Sequence, residues 1–333
     1  MLRASAPRGL RRLAWAAAAF ALFVIVFGAF VRLSNAGLSC PDWPTCYGQL
    51  TWPTQSHEVA SANAAFPDRP VEGAKAWREQ VHRILVGGLS LFTLALAIWS
   101  WRRRQELGRL AAVPLAATLL IVFQAALGMW TVTWKLLPAV VMAHLLGGMA
   151  LFALLAYTAL RLGERAADAS DRMLHRMVLG GATLLALQIA LGGWTSSNYA
   201  ALACGNDFPT CLGSWWPATN FREAFVLWRG IGVNYEGGVL DTPARSAIQI
   251  AHRIGALIVF AFVSWIALRA WRRRELRGTG IAIALLLLLQ VMLGISNVVF
   301  GLPLAVAIAH NGVAALLLLA LLNLMVRVRA VGD

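Results

Sequence analysis

The chain has 333 residues, 59% of them hydrophobic and only 13% charged, whereas a soluble domain carries about a quarter charged residues. Those proportions exclude an ordinary soluble enzyme and describe a membrane protein. The net charge of +14 would suit a nucleic-acid partner, but its distribution excludes that class, because the arginines gather on one side of a series of apolar segments.

In chain order, Arg3, Arg8, Arg11 and Arg12 precede a first apolar segment near 14–33. It is too long for the hydrophobic region of a signal peptide and lacks a small-residue cleavage site, so it is expected to be retained. Segments near 83–101, 111–131, 138–160, 175–195, 251–271, 279–300 and 303–326 can likewise cross about 30 Å of hydrocarbon, which takes roughly 20 helical residues. Eight spanning helices are expected. Arg102, Arg103, Arg104 and Arg109 follow the second, and Arg161, Arg165, Arg172 and Arg176 flank the connection from the fourth to the fifth. Arg269, Arg272, Arg273, Arg274 and Arg277 follow the sixth, and Arg327 and Arg329 end the chain. This positive-inside pattern puts both termini in the cytoplasm and the long loops, about 34–80 and 196–249, outside. A bacterial inner membrane fits better than a mitochondrial one, whose presequences are usually longer.

Each long loop carries a polar knot: LSCPDWPTCYG at 38–48 and a looser LACGNDFPTCLG at 202–213. In an oxidising outer compartment close thiols pair, which favours disulfides Cys40–Cys46 and Cys204–Cys211. A zinc site is the weaker reading, since five and six intervening residues exceed the usual two to four, and a catalytic dithiol stays open. The prolines and Trp43 would stiffen a cap that has no core of its own.

The recurrence extends beyond the knots. VHRILVGGLSLF at 81–92 matches AHRIGALIVF at 251–260, and QAALGMWTVTWKLLPAVVMAH at 124–144 matches QVMLGISNVVFGLPLAVAIAH at 290–310. The fold class expected is therefore all-α integral membrane, with two parallel-repeat four-helix bundles related by a pseudo-twofold along the membrane normal. Residues 1–165 would form the first half and 166–333 the second.

Of six histidines, four form repeat-related pairs: His82 with His144, and His252 with His310. His57 and His175 have no counterparts and read as surface residues. Ionisable groups inside a bilayer are costly and mark function. Two histidines from different helices of a four-helix bundle supply the axial ligands of a haem, whereas zinc wants three or four protein ligands. Small residues at Gly87, Gly88, Gly128, Gly147, Gly148, Gly192, Gly193, Gly255, Gly294 and Gly312 permit close approach of helices or of a flat macrocycle. Arg83 and Arg253, each following a ligand candidate, could pair with haem propionates or snorkel to the interface.

LSNAGLSCPDWPTCYGQ after the first helix, EQVHR at 79–83, QIAHR at 249–253, and His144 and His310 in the fourth and eighth helices resemble the haem A synthase family, over essentially the whole chain. The resemblance implies oxidation of the C8 methyl of haem O to a formyl group, through two hydroxylations and loss of water, to give haem A for terminal oxidases. It implies haem b on His252 and His310 in the C-terminal half, and haem O near His82, His144 and Arg83 in the N-terminal half. Arg253 would be a propionate partner of haem b. The loop cysteines match the family's paired outer cysteines. Contact with a haem O synthase, an electron acceptor of unknown identity and a homo-oligomer are further expectations.

The residues give their own reason for unequal halves. Glu79 lies three residues before His82 on the same helical face, while Gln249 lies three before His252. A carboxylate can move protons or stabilise developing positive charge, and a neutral amide can only hydrogen-bond. Glu79 is the catalytic candidate; its alternative role is an acidic first-turn residue favoured by the helix dipole. A dihaem b-type electron-transfer cytochrome is the rival function.

Overall fold

The computed structural model describes residues 8–163 and 169–329. Arg3, Arg165 and the expected boundary between residues 165 and 166 lie outside the described residues. The helices are α1 (Arg8–Leu33), α2 (Ser56–Ala65), α3 (Gly73–Arg102), α4 (Arg104–Leu107), α5 (Ala112–Thr133), α6 (Pro138–Leu162), α7 (Arg172–Ser197), α8 (Phe221–Ala224), α9 (Thr242–Trp271), α10 (Arg277–Val299) and α11 (Leu304–Arg327), with a single 3₁₀ turn at Gly108–Ala111 between α4 and α5. Among the described residues eight of these, α1, α3, α5, α6, α7, α9, α10 and α11, are long and apolar enough to cross a membrane. The chain is an all-helical, multi-pass membrane protein.

The helix neighbours form two rings. In the first, α1 packs on α3 and α6, and α5 closes the ring between α3 and α6. In the second, α7 packs on α9 and α11, and α10 closes it between α9 and α11. The rings meet where α1 and α6 touch α11 and α6 touches α7, so α1, α6, α7 and α11 are central while α3, α5, α9 and α10 are peripheral. Lipid cannot drive apolar helices together as water does, so close backbone approach through small residues must do so. On α1 the buried face is Ala14, Ala17, Ala18 and Ala21, against Phe152, Leu155, Ala156 and Ala159 of α6 in one continuous core. Exposed Leu91, Leu119, Phe123, Leu257, Leu285 and Met292 lie on the peripheral helices, where lipid would cover them.

Helices α3 and α9 begin well ahead of the expected 83 and 251, so the outer connections shrink from 34–80 and 196–249 to 34–72 and 198–241. The first turns of both are polar, and an apolar run starts only further along. Polar residues do not stop a helix: at α9 Asp241 caps the polar turn, accepting from the Ala244 N–H at 2.9 Å, a standard N-cap contact, whereas α3 starts after Glu72 with no side-chain cap bond. His82 and His252 consequently sit about three turns into their helices, rather than at their openings.

At the opposite end, short strands β1 (Ala169–Ser170) and β2 (Val328–Arg329) pair in parallel. His175 is part of this closure, its Nδ1 lying 2.7 Å from the Val328 carbonyl. Asp171 caps α7 through the Leu174 N–H and pairs with Arg273.

Candidate functional site

Both cysteine pairs are disulfides within one loop, Cys40–Cys46 and Cys204–Cys211. Each is organised by an aspartate two or three residues further on. Asp42 accepts from the Thr45 hydroxyl at 2.5 Å, the Tyr47 N–H at 2.6 Å and the Gly48 N–H at 2.8 Å. Asp207 accepts from the Thr210 hydroxyl at 2.8 Å and the Gly213 N–H at 2.6 Å. The turn needs left-handed backbone at two successive residues, Tyr47–Gly48 and Leu212–Gly213, and glycine takes the second without steric cost. Burial acts to raise the Asp42 carboxyl, but the hydrogen bonds from Thr45, Gly48 and Tyr47 leave it below its ordinary value. The Gly213 N–H and Thr210 hydroxyl likewise lower Asp207.

The arginines that follow His82 and His252 latch the knots. Arg83 donates to the carbonyls of Asp42 at 2.9 Å and Thr45 at 2.5 Å. Arg253 donates to those of Asp207, Pro209 and Thr210 at 2.8–3.1 Å. Glu79 joins the first latch only: it accepts from the Ser39 N–H, the Ser39 hydroxyl and the Cys40 N–H on Oε2, at 2.7, 3.0 and 2.9 Å, and from Arg83 on Oε1 at 2.6 Å. Every hydrogen bond Glu79 makes is one it accepts. Gln249, its counterpart, is equally buried and its Oε1 has no partner.

Below the knots stand the four histidines, each with its ring against a glycine of the neighbouring helix. A methyl group at Gly28 would meet His82 Cε1 at 2.9 Å, and one at Gly128 would meet His144 Cε1 at 3.4 Å. Gly192 stands at 3.3 Å to His252 and Gly294 at 3.1 Å to His310 by the same measure. Gly28, Gly128, Gly192 and Gly294 each precede the last residue of their helix, Leu33, Thr133, Ser197 and Val299, by five residues. At 1.5 Å per residue the four contacts share one level, about 7–8 Å below the helix ends. His82 and His144 belong to helices of the first ring and His252 and His310 to helices of the second, so each ring contains one pair at this level.

Four residues before three of those glycines stands a glutamine: Gln124, Gln188 and Gln290. Gln188 Nε2 lies 3.0 Å from His252 Nδ1 and donates to the His252 carbonyl at 2.9 Å. Gln290 Nε2 lies 3.2 Å from His310 Nε2. Gln124 lies over Gly147, one turn beyond His144, as Gln188 lies over Gly255 one turn beyond His252, but its Nε2 has no partner and only its backbone reaches His144. The matching residue before Gly28 is buried Val24. Nδ1 of His82, His144 and His310 is buried without a hydrogen-bond partner, and Phe27 stacks beside His82 with centroids 6.3 Å apart. The repeated Q-x-x-x-G at 124–128, 188–192 and 290–294 was present in the sequence, but Gly28, Val24 and the glutamines acquire meaning only beside the histidines.

This donor set fits haem. The histidines come in twos, with a buried ring nitrogen unpaired on His82, His144 and His310, and no group of three or more His, Cys, Asp or Glu able to hold a bare metal ion occurs among the described residues. A macrocycle brings its own equatorial nitrogens and asks the protein only for axial ligands.

The model of a family described as cytochrome oxidase assembly protein matches residues 11–322. The chain belongs to that family. It is 49% identical over 308 residues to the heme A synthase of Shewanella oneidensis, covering 92% of each chain. It is 30% identical to the heme A synthase of Caulobacter vibrioides, covering 90% of each, and 28% identical to that of Rhizorhabdus wittichii, covering 90% of this chain and 88% of the relative. Family members named in this way act on haem, in keeping with the paired histidines.

Proposed function

We propose that the protein is a haem A synthase that oxidises the C8 methyl of haem O to a formyl group, with the outer loops in the periplasm. The observation that carries this reading is the pair of histidines at one level in each helix ring, in a chain that matches a heme A synthase over 92% of its length. A chain with two such sites and one acid can divide labour between a resident haem and a haem substrate. Haem bound in this way supplies the redox chemistry.

In this reading residues 1–165 hold haem O at His82 and His144, and residues 166–333 hold haem b at His252 and His310. The support is the charge difference above the two sites. Glu79 gives the N-terminal site a fixed acceptor three residues from His82, where it can stabilise positive charge developing on the substrate or take a proton. Gln249 can do neither. Arg83 and Arg253 contribute by anchoring the knots above the sites, and a propionate role would require them to exchange loop carbonyls for carboxylates. The two disulfide knots close the outer end of both rings and limit water there.

The experiment is direct. Purified protein supplied with haem O and an electron acceptor is extracted, and its haems are separated by chromatography and identified by mass. Haem A should appear with turnover. Permanent occupancy of both sites by haem b with no altered haem would establish the electron-transfer cytochrome instead.

A further inference from the structure

The two histidine sites differ in a way that neither the ligands nor the acid explains. In the C-terminal ring both histidines carry an amide on a ring nitrogen, from Gln188 and Gln290. In the N-terminal ring no side-chain amide does: Gln124 Nε2 falls over Gly147 without a partner, leaving His144 only the Gln124 backbone, and the Val24 side chain offers no polar atom. Val24 and Gln188 hold the same place in the repeat, each one turn before the glycine that cradles a ligand candidate.

We propose that these side chains set how firmly each site retains haem: Gln188 and Gln290 fix His252 and His310 for permanent occupancy, and Val24 leaves His82 without a support so that haem can be exchanged there. The proposal rests on the assignment of the resident haem to the C-terminal half. A histidine that ligates a metal through one ring nitrogen normally engages a partner through the other, and loss of that partner lowers metal affinity about 10–100-fold. Gln188 can accept from a protonated Nδ1 of His252 by turning its amide so that Oε1, which has no other partner, faces the ring, at the expense of the Nε2 bond to the His252 carbonyl. His82 Nδ1 is buried without a hydrogen-bond partner, with Phe27 stacked beside the ring and Gly28 against its edge. An enzyme that must release a product chemically close to its own cofactor needs such a difference in retention. Gln188 and Gln290 are positioning residues here, acting through the histidines.

The test uses the full chain in detergent with its haem as isolated. Gln188→Met keeps the side-chain volume and removes the amide. Transfer of haem to excess haem-free myoglobin should be about 10–100-fold faster than from the unaltered protein, and the low-spin ferric signal in electron paramagnetic resonance should shift, a change that a packing role would not produce. Val24→Gln should slow the departure of bound haem O by a similar factor; should that buried amide prevent folding, Gln188→Met decides alone. Unchanged transfer and an unchanged signal in Gln188→Met would overturn the proposal. His252→Ala, measured alongside, separates the two ideas: full haem retention in that variant would refute the assignment of the resident site, whereas loss of haem there with unchanged transfer in Gln188→Met refutes only the retention device.

Discussion

Arg83 Nη2 lies 2.6 Å from Glu79 Oε1 one turn back on α3, and the two side chains are only 13% and 6% exposed. The pair is a hinge pin between the first disulfide knot and the helix that carries His82, since Arg83 also holds two knot carbonyls and Glu79 holds two knot N–H groups. The second knot has no such pair, because Gln249 replaces the acid.

Removing one partner of a buried ion pair costs about 3–5 kcal/mol, chiefly by stranding the other charge. Arg83→Met should therefore loosen the first knot markedly. Arg253→Met strands only carbonyls and should loosen the second knot less. Limited proteolysis of the two loops, followed by mass spectrometry, reads both. Equal susceptibility in the two variants would show that the Glu79–Arg83 pair adds nothing.

Glu79→Gln separates anchoring from chemistry. A glutamine can keep the Ser39 and Cys40 donors on its carbonyl oxygen, and Arg83, though it loses its counter-charge, keeps the Asp42 and Thr45 carbonyls as acceptors. The knot and the haem b content should survive, while conversion of haem O falls about 10²–10⁴-fold, the range for loss of a general acid or base. Haem O or a hydroxylated intermediate should accumulate. Unimpaired haem A formation would leave Glu79 with an anchoring role alone.

The glycine cradles predict a graded effect of a single methyl group. At Gly28 it would press on His82 Cε1 at 2.9 Å, whereas at Gly148 it would rest on Ile25 at an ordinary 3.9 Å. Gly28→Ala should displace the His82 ring and lower haem O affinity, leaving the low-spin spectrum of the resident haem intact. Gly148→Ala should behave as the unaltered protein. Substrate titration followed by absorbance distinguishes them.

Acid should open the knots in a defined window. Asp42 and Asp207 are held below their ordinary value of 3.8, so each carboxylate stabilises its loop fully above that value. The contribution is lost as pH falls from there through the lower value of the folded protein. Reduction of the loop disulfides by a phosphine, referenced to a small disulfide at each pH, should be flat from neutrality to about pH 4 and rise below it. Asp207→Asn should remove the acid limb of the Cys204–Cys211 response only.

The eight spans, the two knots, the doubled histidines and the unequal Glu79 and Gln249 were all legible in the chain, because hydropathy and spacing are local properties. The starts of α3 and α9 were not, since an apolar run marks a membrane boundary while the helix itself continues through polar turns beyond it. The partners of Arg83, Arg253 and Glu79 depended on where loops 34–72 and 198–241 fold back, a matter of contacts between residues about forty positions apart. The same holds for Gln188 and Val24: each is an unremarkable helical residue until a neighbouring helix places a histidine beside it. Sequence by itself determined which groups lie in the membrane and in what number. Only the packing of helices decided which imidazole a buried amide reaches, because that depends on the rotation of two helices about their axes, which no periodicity within either one specifies.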